Sequence, residues 1–219
     1  MGRPEANVAE EEGAPPRSPL GTGRLEALSD GVFAVAITLL VLEISVPAGS
    51  EDDLLEALLD QWPSYLAYVV SFATVGAIWL AHNAVTHYLH HADALLLRLN
   101  LLLLLVVSFL PFPTRLLAES VEHDDAGKVA TTFYGLTLLT AAALMSVLWR
   151  YAVRERLVHP EAGDDEVAAI SKKLTPGLAF YIVMIGLGLF FPVVAVLGYL
   201  AIALFYLVPI HSLRHRHRT

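Results

Sequence analysis

The chain reads as an all-α integral membrane protein with six transmembrane helices in each subunit. Three observations predict this. Of the 219 residues, 56% are hydrophobic and 16% are charged, against roughly 25% charged in an average soluble domain. The mean hydropathy is +0.58. Six spans of about 20 residues need roughly 120 positions, close to the apolar content. A soluble domain, a disordered chain and a fibrous repeat fit poorly. The net charge of -8 argues against a nucleic-acid partner. With no cysteine, disulfides, thiolate metal sites and a cysteine nucleophile are excluded.

Residues 1–23 hold Pro4, Pro15, Pro16, Pro19 and the run Glu10-Glu11-Glu12, with no apolar core. They are expected to be a disordered cytoplasmic leader and not a signal peptide. A six-helix transmembrane unit is expected over residues 24–213, and a basic cytoplasmic tail over 214–219. The first span is expected from Leu25 to Val46, ending at Pro47. The second runs from Pro63 to Thr86, the third from Leu99 to Leu117 and the fourth from Val129 to Trp149. The apolar stretch from Leu174 to Ile210 is too long for one span, and Pro192 divides it into two. Trp62, Tyr65, Tyr68, Trp149 and Tyr151 sit at predicted ends, where amphipathic rings favour the headgroup layer.

Lys and Arg set the orientation. An even number of spans places Arg3, Arg17, Arg24, Arg98, Arg150, Arg154, Arg156, Lys172, Lys173, Arg214, Arg216 and Arg218 on one side. Only Arg115 and Lys128 remain for the other. Both termini are therefore expected in the cytoplasm. The opposite loops carry Glu51, Asp52, Asp53, Glu56 and Asp60, and then Glu119, Glu122, Asp124 and Asp125. They read either as ordinary solvated loops or as a rim that concentrates cations.

The first helix is the most informative. At about 100° per residue, Gly31, Thr38, Leu39, Leu42 and Val46 fall within about 60° of Val35. That stripe is aliphatic except for Thr38. Asp30 falls about 140° away, with Phe33 and Ile37, and lies roughly 7 Å into the span. A carboxylate there needs a partner, and Glu26 on the same helix repels it. Trp79, His82 and Asn83 end the second span at a matching depth, and Asn100 opens the third. Arg24, Ser29, Asp30, Trp79, His82, Asn83 and Asn100 are expected to form one inner polar cluster. It serves either as a clamp on the first helix or directly in conduction or proton sensing.

Arg24-x-x-x-Leu28-Ser29-Asp30, followed by the run Gly31 to Glu43, resembles the first-helix signature of the transmembrane-protein-175 family. The family pattern has Phe where this chain has Leu28. Trp79-Leu-Ala-His82-Asn83 and the run from Asn100 to Leu110-Pro111-Phe112-Pro113-Thr114 are also similar to the family. The resemblance covers the first three spans.

It implies a potassium-permeable channel, found in bacteria and archaea and in animal endosomes and lysosomes. It also implies a homotetramer in a prokaryotic plasma membrane, surrounded by lipid. The pore is then lined by the first helix of each subunit, with no separate selectivity-filter loop. Aligned on the Ser-Asp pair, the constriction falls on Val35, Leu39 and Leu42, and a hydroxyl layer on Thr38. Potassium and other monovalent cations are the implied permeants, with no cofactor, no metal and no enzymatic activity. Thr38 alternatively bonds back to the Ala34 carbonyl. A secondary transporter or proton-coupled carrier is the competing reading, though broken half-repeats are not evident. A membrane enzyme would have only the Asp30–His82 group to work with.

The remaining signals point elsewhere. His82, His87, His90 and His91 straddle a helix end and a loop, an arrangement expected of juxtamembrane histidines. The alternating His and Arg from His211 to Arg218 suits lipid headgroups. Gly186 and Gly188 suggest close helix packing.

Overall fold

The computed structural model describes residues 22–46, 49 and 52–207. The expected leader and basic tail lie outside them, apart from Thr22 and Gly23. Every regular element among the described residues is helical. In order they are α1 (Gly23–Leu39), a 3₁₀ turn (Leu40–Glu43), α2 (Leu54–Asp60), α3 (Trp62–His87), α4 (Ala94–Phe109), α5 (Pro111–Ser120), α6 (Asp124–Arg154), α7 (Asp164–Gly188) and α8 (Pro192–Leu207).

Five stretches are long and apolar enough to cross a membrane: Gly23–Glu43, Trp62–His87, Ala94–Ser120, Asp124–Arg154 and Asp164–Gly188. The last helix, Pro192–Leu207, is apolar but 16 residues long. The first span falls short of the expected Val46, since α1 tightens into the 3₁₀ turn at Leu40 and helix ends at Glu43, whereas later helices outrun their apolar runs. α6 extends beyond Val129–Trp149 at both ends. α7 starts at Asp164 and not at Leu174, carrying Lys172 and Lys173 within a continuous helix. Hydropathy sees only the lipid-compatible part of a helix, and the polar turns beyond it are invisible to that signal.

Local chemistry sets the breaks. Asp93 caps α4, its Oδ1 accepting from the Leu96 N–H at 2.7 Å. The third span is two helices, because Pro111 has no N–H to continue the ladder. The bared backbone is answered locally. Leu110 N–H tightens onto Val107 at 3.2 Å, while the Leu110 carbonyl accepts from the Thr114 hydroxyl at 2.8 Å. Pro192 opens α8, so the long apolar stretch does divide there.

α3 is the central strut, packed against α1, α5 and α8. α6 packs on α4, α5 and α7. Gly135 on α6 permits one close approach, since a Cβ there would meet the Tyr199 hydroxyl of α8 at 2.0 Å. Gly188 likewise sits against Thr131, whereas Gly186 faces open space, so only one of the two expected glycines mediates packing. Trp149 is another correction. It is buried and donates to the Ser171 hydroxyl at 2.9 Å, serving the α6–α7 contact and not the headgroup layer.

Arg98, Arg150, Arg154 and Arg156 gather at one end of the bundle, here called the basic end. There the α3–α4 and α6–α7 links pair across a short bridge, Leu89 against Val158. His90 N–H donates to the Leu157 carbonyl at 2.8 Å, and His159 N–H to the Tyr88 carbonyl at 2.9 Å. The other, acidic end carries Asp52, Asp53, Glu119 and Glu122.

Candidate functional site

α1 divides into two faces. Leu25, Ser29, Phe33 and Ala36 are buried where α1 packs on α3 and α4, and Leu40 is buried where the 3₁₀ turn packs on α3 and α5. Their spacing follows one face of a helix. The opposite stripe is uncovered: Val35 is 57% exposed, Leu39 40% and Leu42 70%, with Gly31, Leu28, Thr38 and Val46 also exposed. All three aliphatic residues expected at a constriction therefore lie on the open face. In a membrane helix such a strip is a surface for lipid, for another subunit or for a passage alike.

Thr38 stands on that strip, and its hydroxyl donates to the Val35 carbonyl at 2.9 Å. The back-bond exists but reaches Val35 and not Ala34. It spends the hydroxyl's single hydrogen on its own helix. The oxygen's lone pairs are left as acceptors on the open face.

Behind the strip lies a polar clamp. Ser29 donates to the Leu25 carbonyl at 2.8 Å and accepts from Asn100 Nδ2 at 3.0 Å. Asn100 Oδ1 meets His82 Nε2 at 2.8 Å. All three side chains are buried. The His82 ring also packs on Phe33, centroids 5.5 Å apart. One serine, one histidine and one asparagine thus fasten three helices together. Asp30 belongs to a separate pair, its Oδ1 accepting from Trp79 Nε1 at 2.8 Å.

Three corrections to the expected cluster follow. Asp30 is exposed in the single chain and not buried in the bundle. Its wheel position lies at the margin of the buried face, and Trp79 reaches out to it. Arg24 and Asn83 are exposed and join neither set through their side chains among the described residues. Asn83 is next to His82 in sequence, and about 100° of helix rotation turns it away.

Three further features escaped the sequence. Ser71 contacts both Thr114 Oγ1 at 2.8 Å and the Tyr134 hydroxyl at 2.9 Å, joining α3, α5 and α6. Only the matching depth of three isolated hydroxyls could have signalled it. At the acidic end, Arg115 bonds Glu119 at 2.8 Å and lies 3.9 Å from Glu43, which ends the 3₁₀ turn. At the basic end, the Tyr151 hydroxyl donates to Asp93. Burial raises the Asp93 pKa. The Tyr151 hydroxyl and the Leu96 and Leu95 N–H groups outweigh it and hold the carboxyl below its usual range. Among the described residues, no group of three His, Asp or Glu is arranged to hold a metal ion.

Known proteins share this architecture. Residues 24–111, from Arg24 through the α4–α5 break, match the family model described as endosomal/lysosomal potassium channel TMEM175. A Streptomyces collinus protein named a potassium channel is 43% identical over 170 residues, 73% of this chain and 82% of that one. A Chamaesiphon minutus protein, also named a potassium channel, is 43% identical over 76% of this chain and 83% of its own. The crystal structure of a lysosomal potassium-selective channel TMEM175 homologue from Chamaesiphon minutus superposes with a TM-score of 0.77. The identity is 39%, covering 84% of this chain and 95% of that one. The chicken relative, named an endosomal/lysosomal proton channel, is 36% identical over 71% of this chain but 34% of its own length. With the Streptomyces and Chamaesiphon relatives matched over most of its length and theirs, the chain belongs to the TMEM175 family of potassium channels and is an integral membrane protein.

Proposed function

We propose that this chain forms a homotetrameric potassium-permeable channel whose pore is lined by α1 from each subunit. The observation that carries the reading is the divided first helix. Its buried face is fastened to α3 and α4 through Ser29, and its aliphatic face is left uncovered by the rest of the chain. Four such faces around an axis give a conduction path with no filter loop. In this reading α8 is the sixth span, both termini are cytoplasmic, and the membrane is a prokaryotic plasma membrane with lipid around the α7–α8 side.

Leu42, Leu39 and Val35 form an apolar constriction that narrows the path and can dewet. Thr38 supplies the polar relief within it. Four hydroxyl oxygens, each with its hydrogen turned onto the Val35 carbonyl, give a ring of acceptors without formal charge. Such a ring replaces part of a cation's water shell. It favours potassium modestly over sodium, because potassium surrenders its shell at lower cost. Asp30, Ser29, Trp79, His82 and Asn100 hold the helix in place and do not meet the ion. Arg24 and Asn83 lie at the basic-end mouth.

The test is the reversal potential of wild type and Thr38→Val under a potassium–sodium bi-ionic gradient. Valine keeps the shape and removes the oxygen. The potassium preference is expected to shrink several-fold while assembly is retained. An unmoved reversal potential would remove Thr38 from selectivity.

A further inference from the structure

Toward the basic end, a half-open apolar cleft lies where α3, α6, α7 and α8 meet. Half of its lining is small: Ala77 and Ala81 from α3, Ala141 and Ala142 from α6, and Gly177 from α7. Tyr206 of α8 closes one side, its hydroxyl donating to the Lys173 carbonyl at 3.0 Å. A Cβ at Gly177 would meet that hydroxyl at 2.5 Å, so the glycine is what admits the ring.

Lys173 stands at the mouth, one residue before Leu174 of the cleft wall. Its Nζ lies 5.8 Å from the centroid of the Tyr206 ring. Among the described residues no carboxylate pairs with it. Lys172 beside it is exposed.

Alanine and glycine walls leave dispersion contacts unmade wherever nothing fills the space between them. Water is a poor filler of such a space, having no polar partners there. At this depth the surrounding medium is hydrocarbon. The cleft spans Leu174 to Tyr181 along α7, roughly 10 Å at 1.5 Å per residue, which suits the upper half of an acyl chain. The ammonium over the Tyr206 ring supplies a positive charge where a headgroup phosphate would sit.

We infer that this cleft binds an anionic phospholipid of the leaflet at the basic end. One acyl chain lies along Ala81, Ala142 and Gly177, and the headgroup phosphate pairs with Lys173. The assignment does not depend on how the pore is built. It does place the lipid behind the clamp. Ile78 and Ala81 line the cleft, while Trp79 and His82, in the same turns of α3, reach Asp30 and Asn100.

The full chain is equilibrated in phosphatidylcholine vesicles containing a minor fraction of phosphatidylglycerol, then extracted gently and weighed with its bound lipid by native mass spectrometry. Wild type is expected to retain phosphatidylglycerol several-fold above its share in the vesicle. Lys173→Gln should bring that ratio down to the vesicle's own, and Lys173→Arg should keep it. Ala142→Leu fills the slot and should lower retention of both lipids. If that variant does not fold, the two Lys173 variants decide the question.

A wild type without preference, or a Lys173→Gln protein that keeps it, overturns the site. Retention that rises only when residues 208–219 are removed assigns the cleft to the chain's own C-terminal segment and overturns it too. So does a change of subunit number in Ala142→Leu, which assigns the cleft to a second copy.

Discussion

Two buried polar networks cross this apolar bundle, and they differ in which helices they join. Ser29, Asn100 and His82 tie α1 to α3 and α4. Ser71, Thr114 and Tyr134 tie α3 to α5 and α6. The chemistry is alike, since neutral groups bond to one another where no water can substitute. The position differs. The first network holds the helix whose other face is the uncovered aliphatic strip, and the second leaves that helix alone. Polar glue inside a membrane is worth little per bond, about 0.6 kcal/mol on average and up to about 1.7. Its value lies in fixing rotation and register. A helix free to rotate would point Phe33 and Leu40 where Val35 and Leu42 should stand.

Breaking each network at its hub gives the largest expected effect. Asn100→Ala removes two bonds at once and leaves the His82 ring nitrogen without its partner. The cost should be about 2–3 kcal/mol, read as a lowered thermal midpoint and a loss of assembled protein on size exclusion. Ser71→Ala should cost less, about 1 kcal/mol, because Thr114 keeps its bond to the Leu110 carbonyl. Channels that survive Ser71→Ala should keep their ion preference. If Ser71→Ala disturbs selectivity more than Asn100→Ala does, the difference drawn between the networks is wrong.

Asp30→Ala sharpens the same comparison from the margin. Its partner Trp79 is half-buried and the carboxylate is exposed in the single chain. The structural cost should therefore fall between those of the two hub variants, again seen first in assembly and only then in ion preference. A stable Asp30→Ala tetramer with unchanged currents would show that the Ser29–Asn100–His82 set alone fixes α1.

The aliphatic face is tested by conductance. Leu42→Ala and Leu39→Ala should each widen the proposed path and raise single-channel current several-fold. Leu105→Ala serves as the control. Leu105 is 64% exposed on α4, outside the α1 strip, and its loss should leave the current unchanged. Equal responses at Leu42 and Leu105 would remove the distinction between a pore face and any other exposed apolar surface.

Much of this division was legible in the sequence, and the gaps have physical causes. The α1 strip was readable because a 3.6-residue period places Val35, Thr38, Leu39 and Leu42 together without reference to the rest of the chain. Pro192 was readable because proline breaks a helix locally. The membership of Asn100 and His82 was readable from matched depth and polarity. Asn83 was misplaced because depth is one-dimensional and the wheel angle decides which neighbour a side chain meets. Trp149 was assigned to the headgroup layer because its position fits that role, and nothing in the sequence announces Ser171 as its partner. The Ser71–Thr114–Tyr134 set depends on the kink at Pro111, which aims Thr114 at α3. A kink angle is a tertiary quantity that no period reports.

The smallest expected effect lies outside both networks, at the basic end, where Tyr151 of α6 donates to Asp93 at the head of α4. That bond and the Leu96 and Leu95 N–H groups hold the Asp93 carboxyl below its usual range, against the opposing pull of burial. A carboxyl depressed in the folded state adds stability at every pH above its ordinary titration range. The contribution fades as pH falls through the depressed folded value. Tyr151→Phe removes the strongest of the lowering groups and lets the carboxyl titrate nearer its ordinary range. The acid-side decline of the thermal midpoint should then begin at a higher pH in the variant. At neutral pH the loss should be small, because the bond is partly open to solvent. Ion preference should not move, because the bonds of these two side chains run to α4 and to each other and not to α1. Superimposable acid limbs in wild type and Tyr151→Phe would show that the Leu96 and Leu95 N–H groups, with the charge of His91, set the Asp93 titration without Tyr151. A shifted reversal potential would show instead that the links at the basic end reach the conduction face, which the two-network comparison forbids.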